Sequence, residues 1–384
     1  MKITALEPIL LTAPFGGGAV AWSGGFIPKI NLAMVRVHTD EGITGLGETY
    51  GGLFAPSTAQ TIVEHFATLA VGEDAANITG LWQRLYAGSL FWGRNGMAVS
   101  VLSAIEMALW DINGKALGVP VHRLLGGLAH QSIPVYASGG LDQAPADFER
   151  ELNGYAESGF RAVKFRIGHG PRKDTAKVEL ARRTVGDDFM LMCDAVQGHN
   201  PDPWHAADAV AVADALAPYA LAWFEEPCAA SDYDGYAAVR AKARMPIAGG
   251  ESSVTIHEFK HFFDRGGLDI AQPDAAHAGG ILEFLRIAHL ADAHGVRVVP
   301  HAWGSGPAIM SNLHAAFANA ACFMFEFPTI QNPLRHELLV EPLVMRDGVV
   351  EPPTAPGLGV EITDEILARY PFQSGYEVRM ANTR

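Results

Sequence analysis

Apolar positions along the first stretch of the chain recur at strand period and then at helix period. "KITALEPILL" and "INLAMVRVHT" read as strands, with "DEG" as a turn before "ITGLGE". "STAQTIVEHFATLA" and "GMAVSVLSAIEMALWDINGKALG" follow at helical spacing. In the second, Val101, Ile105, Met107, Ala108 and Leu109 make a broad apolar face. Strands first and helices after predict a compact α+β domain over residues 1–125. From about residue 130 the texture alternates. Short apolar runs recur as "IPVYASG", "AVKFRIG", "FMLMCDA", "LAWFEEP", "PIAGGES", "LDIAQPDA", "VRVVPHAW" and "CFMFEFP", with amphipathic helical stretches between them. Eight strand–helix units over residues 126–350 fit a (β/α)8 barrel. An open doubly wound sheet is the alternative, but the glycine-rich nucleotide fingerprint it normally carries after its first strand is not there.

Polar residues close most of these runs. Asp194 ends "FMLMCD", Glu225 ends "LAWFE", Glu251 ends "PIAGGE", Asp274 ends "LDIAQPD", His301 ends "VRVVPH", and Glu326 sits in "CFMFEF". The successive gaps are 31, 26, 23, 27 and 25 residues, one strand–helix unit each time. A barrel gathers the C-terminal ends of its strands on one face, so residues far apart in sequence can share a pocket. Any one acid after an apolar run is more often a helix N-cap, and a lone His301 is as often a core histidine. Six in consecutive units are hard to assign to caps alone. Asp194, Glu225 and Glu251 on adjacent strands suit a hard divalent cation such as Mg2+, and Asp274 can fix the tautomer of His301 and raise its basicity. Zinc fits less well, since no His or Cys pair has its ligand spacing. One unit earlier, Lys164 and Arg166 in "RAVKFRIG" stand two apart on a strand and so share a face. A solvated edge strand would explain them, but a closed barrel has no edge.

These segments together resemble the mandelate racemase/muconate lactonizing enzyme family of the enolase superfamily. The resemblance runs through "AIEMALWDINGKALGVPVHRLLGG", "AVKFRIG", "DAVQG", "FEEP", "GGES", "QPDAAHAGGI", "VVPHAWG" and "GLGVEI", nearly the whole length. It implies an α/β fold: a modified (β/α)8 TIM barrel under an N-terminal α+β capping domain, completed by the C-terminal segment 351–384. It implies one Mg2+ per site on Asp194, Glu225 and Glu251, an Asp274–His301 dyad, and Glu326 as a hydrogen-bonding electrophile. The step it implies is removal of the proton α to a carboxylate, giving an enediolate. Glu226 must point away if Glu225 faces the metal, and Lys164 should lie near the substrate carboxylate and the metal carboxylates. Family members with a base on the Lys164 strand usually have Lys where Arg166 stands. Arg stays protonated at ordinary pH, so Arg166 reads as a fixed cation, a neutral arginine base being the alternative. With His301 as the one base, dehydration of a sugar-derived acid (an aldonate or aldarate) is the first reading. An epimerase or racemase of an α-substituted acid and an aldarolactone cycloisomerase are the alternatives; a metal-binding barrel without catalysis is a remote one.

Composition narrows the partners. The chain has 384 residues and a formal charge of −14, against a nucleic-acid surface or an anionic membrane. The start carries no uninterrupted apolar leader and no run is long enough to span a bilayer. Three scattered cysteines, Cys193, Cys228 and Cys322, read as reduced thiols of a cytoplasmic protein. The expected partners are a small carboxylate substrate and, from the resemblance, further copies of the chain in a dimer or octamer. The glycine-rich "TAPFGGGAVAWSGGF" reads as a lid over the site, or as an ordinary surface turn. Trp22, Phe26, His199 and Trp303 are candidate substrate contacts, His199 also a candidate acid or a plain loop histidine, and "FWGRNG" is a rim candidate.

Overall fold

The computed structural model describes residues 1–380. Ile3–Ala13, Ile30–Thr39 and Thr44–Thr49 form an antiparallel sheet with Ile30–Thr39 in the middle. That middle strand is apolar on both faces because it is covered twice. Ala33, Val35 and Val37 pack with the helices Pro56–Ala70 and Met97–Leu117, while Ile30, Leu32 and Met34 on the other face join the large core that includes the barrel. Met97–Leu117 is rich in Ala, Leu and Met, all good helix formers, and ends where Gly118 turns left-handed at φ 67°. It lies almost on the sheet. A Cβ on Gly47 would meet the Ala104 carbonyl oxygen at 1.9 Å, and one on Gly45 the Ala108 oxygen at 2.0 Å. Its far side carries Glu106, whose carboxylate accepts from the Ile281 and Leu282 backbone N–H groups at 2.8 and 2.9 Å and so binds this unit to the barrel.

All eight predicted barrel strands form. In chain order they are Ile133–Gly139, Ala162–Arg166, Met190–Asp194, Trp223–Glu225, Ile247–Gly249, Ile270–Ala271, Arg297–Val298 and Phe325–Pro328. Each pairs in parallel with its neighbour from the first to the seventh, and the eighth pairs with the first. A Val298–Cys322 bridge, with the Val298 N–H donating to the Ala321 oxygen at 3.0 Å, spans the remaining gap between seventh and eighth. The interior is layered by the period of two. Tyr136, Ala162, Met192, Trp223, Ala248, Ile270, Val299 and Met324, one from each unit, form an apolar plug. Two residues further along come Ser138, Lys164, Asp194, Glu225, Gln272, His301 and Glu326, a polar layer resting on that plug and itself buried.

Above this layer, "AVAWSGGF" folds as a hairpin, Val20–Trp22 paired with Gly25–Ile27. It is tied down twice: Asp142 N–H donates to the Ala21 oxygen at 3.2 Å, and Arg379–Met380 adds a third strand along Gly25–Phe26. The segment after residue 351 also meets the first domain elsewhere, with Leu358 N–H on Asp111 at 2.9 Å and Gln373 N–H on Thr12 Oγ1 at 2.9 Å. Residues 381–384 lie outside the described residues.

Candidate active site

Asp194, Glu225 and Glu251 present carboxylate oxygens that all lie within 4.8 Å of one another. All three side chains are buried. Burial raises the pKa of Asp194 and Glu225, with the cations Lys164 and Arg166 pulling back on Asp194, and Lys164 on Glu225. Glu225 Oε2 accepts from Trp223 Nε1 at 2.9 Å and Gln272 Nε2 at 2.7 Å, and Asp194 Oδ1 from the Val196 N–H at 2.8 Å. Three hard oxygen donors, buried and held in place by hydrogen bonds, are the set a Mg2+-type ion takes. The residues present therefore fit such a cation.

His301 faces this cluster from the seventh strand. Its Nδ1 is 2.7 Å from Asp274 Oδ2, and its Nε2 lies 3.6 Å from Glu251 Oε2. Asp274 is fully buried, and its Oδ1 accepts from Ala276 N–H and Asn312 Nδ2, each at 2.7 Å. Burial opposes protonation of His301, but Glu251, Asp274 and Glu326 outweigh it and raise its pKa to about 9; a divalent cation held by Glu251 would oppose that rise and favour the neutral imidazole that a base requires.

Lys164 pairs with Glu225 and lies 3.2 Å from Glu326. Burial would neutralise it, but those two carboxylates raise its pKa well above the ordinary value. Lys164 is fully buried beside the carboxylate cluster and is not among the residues lining the cleft. Arg166 does line the cleft, with Nη1 on Ser138 Oγ at 2.9 Å and on the Gly139 oxygen at 3.2 Å, and Nε 3.6 Å from Asp194. Here too burial opposes the charge, and Asp194, Glu326, Glu225 and Glu251 more than offset it. Glu326 is an acceptor. It takes hydrogen bonds from Ser138 Oγ at 2.6 Å and Ala302 N–H at 2.8 Å. Against the opposing effect of burial, Lys164, His301 and Arg166 hold it well below the usual carboxylate range.

The cleft is walled by Trp22, His199 and Trp303 among others. Burial lowers the pKa of His199, against the raising effect of Glu251. Phe26 is not among the lining residues. In a hairpin strand of three, Ile27 faces inward and Phe26 therefore faces out, more than a third exposed under the Arg379 guanidinium. The "FWGRNG" segment also misses the cleft: Phe91 is fully exposed at the end of helix Ile78–Gly93. Glu226 departs as well. A φ of 46° turns its buried carboxylate back toward the cluster, 3.9 Å from His199, where it groups with His199 and Glu251 instead of pointing away. Tyr50, whose ring sits 5.1 Å from that of His301, lines the cleft without a clear signal in the sequence. Tyr50 opens "YGGL", which folds as a short 3-10 turn over Tyr50–Leu53.

Fold and site together define a capped-barrel enzyme with a carboxylate cluster and one carboxylate-supported imidazole on the same face. Comparison with known proteins gives the family. Residues 20–126 match the mandelate racemase/muconate lactonizing enzyme N-terminal domain, and residues 147–366 the enolase C-terminal domain-like family. The chain belongs to the mandelate racemase/muconate lactonizing enzyme family of the enolase superfamily. It is 34% identical to a D-galactarolactone cycloisomerase of Agrobacterium fabrum, over 96% of this chain and 99% of the relative. A D-galactonate dehydratase of Ralstonia nicotianae is 34% identical, over 87% of this chain and 89% of the relative. The crystal structure of a racemase from Streptomyces coelicolor A3(2) with bound magnesium superposes with a TM-score of 0.86 at 30% identity, covering 96% of this chain and 99% of that one. Among the described residues, no helix is long and apolar enough to cross a membrane.

Proposed function

We propose that this enzyme takes the proton α to the carboxylate of a sugar-derived acid and expels the β-oxygen, as a dehydratase of an aldonate or aldarate. The observation that supports it best is the single base: His301, backed by Asp274 at 2.7 Å, with Lys164 and Arg166 both held as cations. Exchanging protons on both faces of a carbon needs two bases, whereas elimination needs one. His301 Nε2 removes the α-proton, leaving the electron pair in the enediolate. That pair then forms the C=C bond as the β-C–O bond breaks, and the imidazolium returns the proton to the departing hydroxyl, which leaves as water. The enol product tautomerises to a 2-keto-3-deoxy acid. Asp274 steadies the imidazolium in between, and Arg166 sets positive charge beside the developing anion. Asp194, Glu225 and Glu251 would hold a Mg2+ ion, which when bound would supply Lewis-acid stabilisation of that anion.

The D-galactarolactone relative supports a second reading in which the β-oxygen belongs to the substrate's own ring. The same proton removal then opens the ring and loses no atoms, an isomerisation. Incubation of the protein with Mg2+ and a panel of acid sugars in D2O separates these. Loss of the α-proton signal with a 2-keto-3-deoxy product of mass lower by one water supports dehydration, and the same product type at unchanged mass supports ring opening. Exchange with neither product would refute elimination, and activity retained by His301→Asn would refute the base. A cytoplasmic dimer or octamer is part of the proposal; light scattering that finds a monomer would overturn that part.

A further inference from the structure

Glu226 is strained and unsatisfied at once. Its φ of 46° and the 52° of Val196 both lie in the left-handed region, which is costly for residues with bulky side chains. Gly198 makes room for the result, since a Cβ there would meet Glu226 Oε1 at 1.9 Å. The residue is 1% exposed, yet Glu226 Oε2 has no hydrogen-bond partner. A buried carboxylate oxygen left without a partner is unfavourable whether or not it carries a proton.

That oxygen lies 3.9 Å from His199 Nδ1, too far for a hydrogen bond. Two donors on one ion, each bonded at about 2.1 Å, stand up to about 4.2 Å apart, so the gap suits a cation between them. Glu251 supplies a third donor: one ligand atom each from His199, Glu226 and Glu251 lie within 4.8 Å of one another. The imidazole is braced edge-on by Trp22 and Phe54, at ring separations of 5.9 and 6.5 Å. His199 and Glu251 both line the cleft, which gives an ion a way in and leaves its remaining positions open to a substrate oxygen. Charge argues the same way. Asp194, Glu225, Glu226, Glu251, Asp274 and Glu326 are buried carboxylates, and the buried Lys164 and Arg166 are the cations paired with them. With the imidazoles neutral, one divalent ion leaves two negative charges uncompensated before any anionic substrate enters. A second brings the set to neutrality.

We propose a second cation site on His199, Glu226 and Glu251, beside the Mg2+ site on Asp194, Glu225 and Glu251, with Glu251 bridging the two ions. The bridge rests on the Mg2+ reading above; the second site itself does not. One imidazole nitrogen among carboxylates suits a borderline divalent ion of the Mn2+, Co2+ or Zn2+ class, whereas Mg2+ prefers the all-oxygen triad.

The test uses the full chain, stripped of metal and titrated with Mn2+, read by calorimetry and by electron paramagnetic resonance. The expected result is two Mn2+ per chain. With excess Mg2+ one Mn2+ should remain bound, and its pulsed spectrum should show coupling to an imidazole nitrogen. His199→Ala should abolish that coupling, and in both His199→Ala and Glu226→Gln the affinity for this ion should fall at least about a hundredfold. His199 is partly exposed, so its variant is the one expected to fold without difficulty; thermal unfolding checks both. Asp194→Asn should weaken the other ion and keep the nitrogen-coupled one. One Mn2+ per chain lost in Asp194→Asn, a second Mn2+ without nitrogen coupling, or a second ion that both variants retain would overturn the second site and leave the Mg2+ reading standing. Two ions that Asp194→Asn does not weaken would overturn the Mg2+ triad instead, and a folded chain that binds neither metal would overturn both.

Discussion

Replacing Asp274 by Asn tests how the base is made. The carboxylate accepts three hydrogen bonds: Oδ1 from Ala276 N–H and Asn312 Nδ2, and Oδ2 from His301 Nδ1. An amide has only one oxygen. Kept where two donors converge, that oxygen leaves the NH2 group facing His301 Nδ1. The imidazole must then present its Nδ1 lone pair and carry its proton on Nε2, the nitrogen that faces the cleft, so the base is blocked by its own proton. The opposite flip sets an NH2 against two buried donors and is the costlier arrangement. Loss of the wrong-tautomer kind amounts to about 10³–10⁴ in kcat, or about 4–5.5 kcal/mol of transition-state stabilisation. The assay is the α-proton exchange rate in D2O on whichever acid sugar the wild type processes best. Mg2+ binding by calorimetry and thermal unfolding serve as controls. Exchange within tenfold of wild type, in a variant that folds and binds Mg2+, would refute the tautomer reasoning.

Two stability predictions stand apart from the chemistry. Gly47→Ala should destabilise the protein by more than about 2 kcal/mol, because a Cβ there meets the Ala104 oxygen at 1.9 Å and helix Met97–Leu117 must move away; an unchanged urea midpoint would show that the sheet–helix contact is looser than drawn. Buried His314 accepts the His122 N–H at 3.2 Å through Nδ1, and burial together with His122 lowers its pKa to about 3. The unfolded chain binds that proton near pH 6.5 and the folded one does not, so this group's contribution is complete above about pH 6.5 and declines as pH falls toward 3. Between pH 7 and 5 the wild type should lose about 2 kcal/mol more than His314→Asn, in which the side-chain oxygen keeps an acceptor for His122. Equal losses in denaturant titrations at the two pH values would refute the assignment. Taking the difference between the two proteins matters, since buried Glu48 and Glu106, both raised by desolvation to about 7, bias the total in the opposite direction.

Much of this molecule is legible from residue order alone. Short apolar runs set between amphipathic helical stretches placed all eight barrel strands, and alternation at period two set Lys164 and Arg166 on one face, with Asp194 one strand away in register with Arg166. The spacing of Asp194, Glu225, Glu251, Asp274 and His301 by one strand–helix unit foretold their meeting, because a barrel converts that spacing into proximity. What alternation cannot supply is depth. Lys164 and Arg166 share a face, yet one is sealed between Glu225 and Glu326 and the other opens into the cleft. Nor can it choose which face of a short hairpin strand meets a cavity, so Phe26 was expected where Ile27 stands. Glu226 needed a left-handed φ, a property of how the chain turns out of the fourth strand and not of the residue's identity. Most of all, the apolar part of the cleft wall comes from Val20, Leu53, Leu141 and Val196, four segments that no periodicity connects. Local pattern dictates which residues each element buries; only the closing of barrel, hairpin and first domain against one another decides which of those buried surfaces face the same empty space.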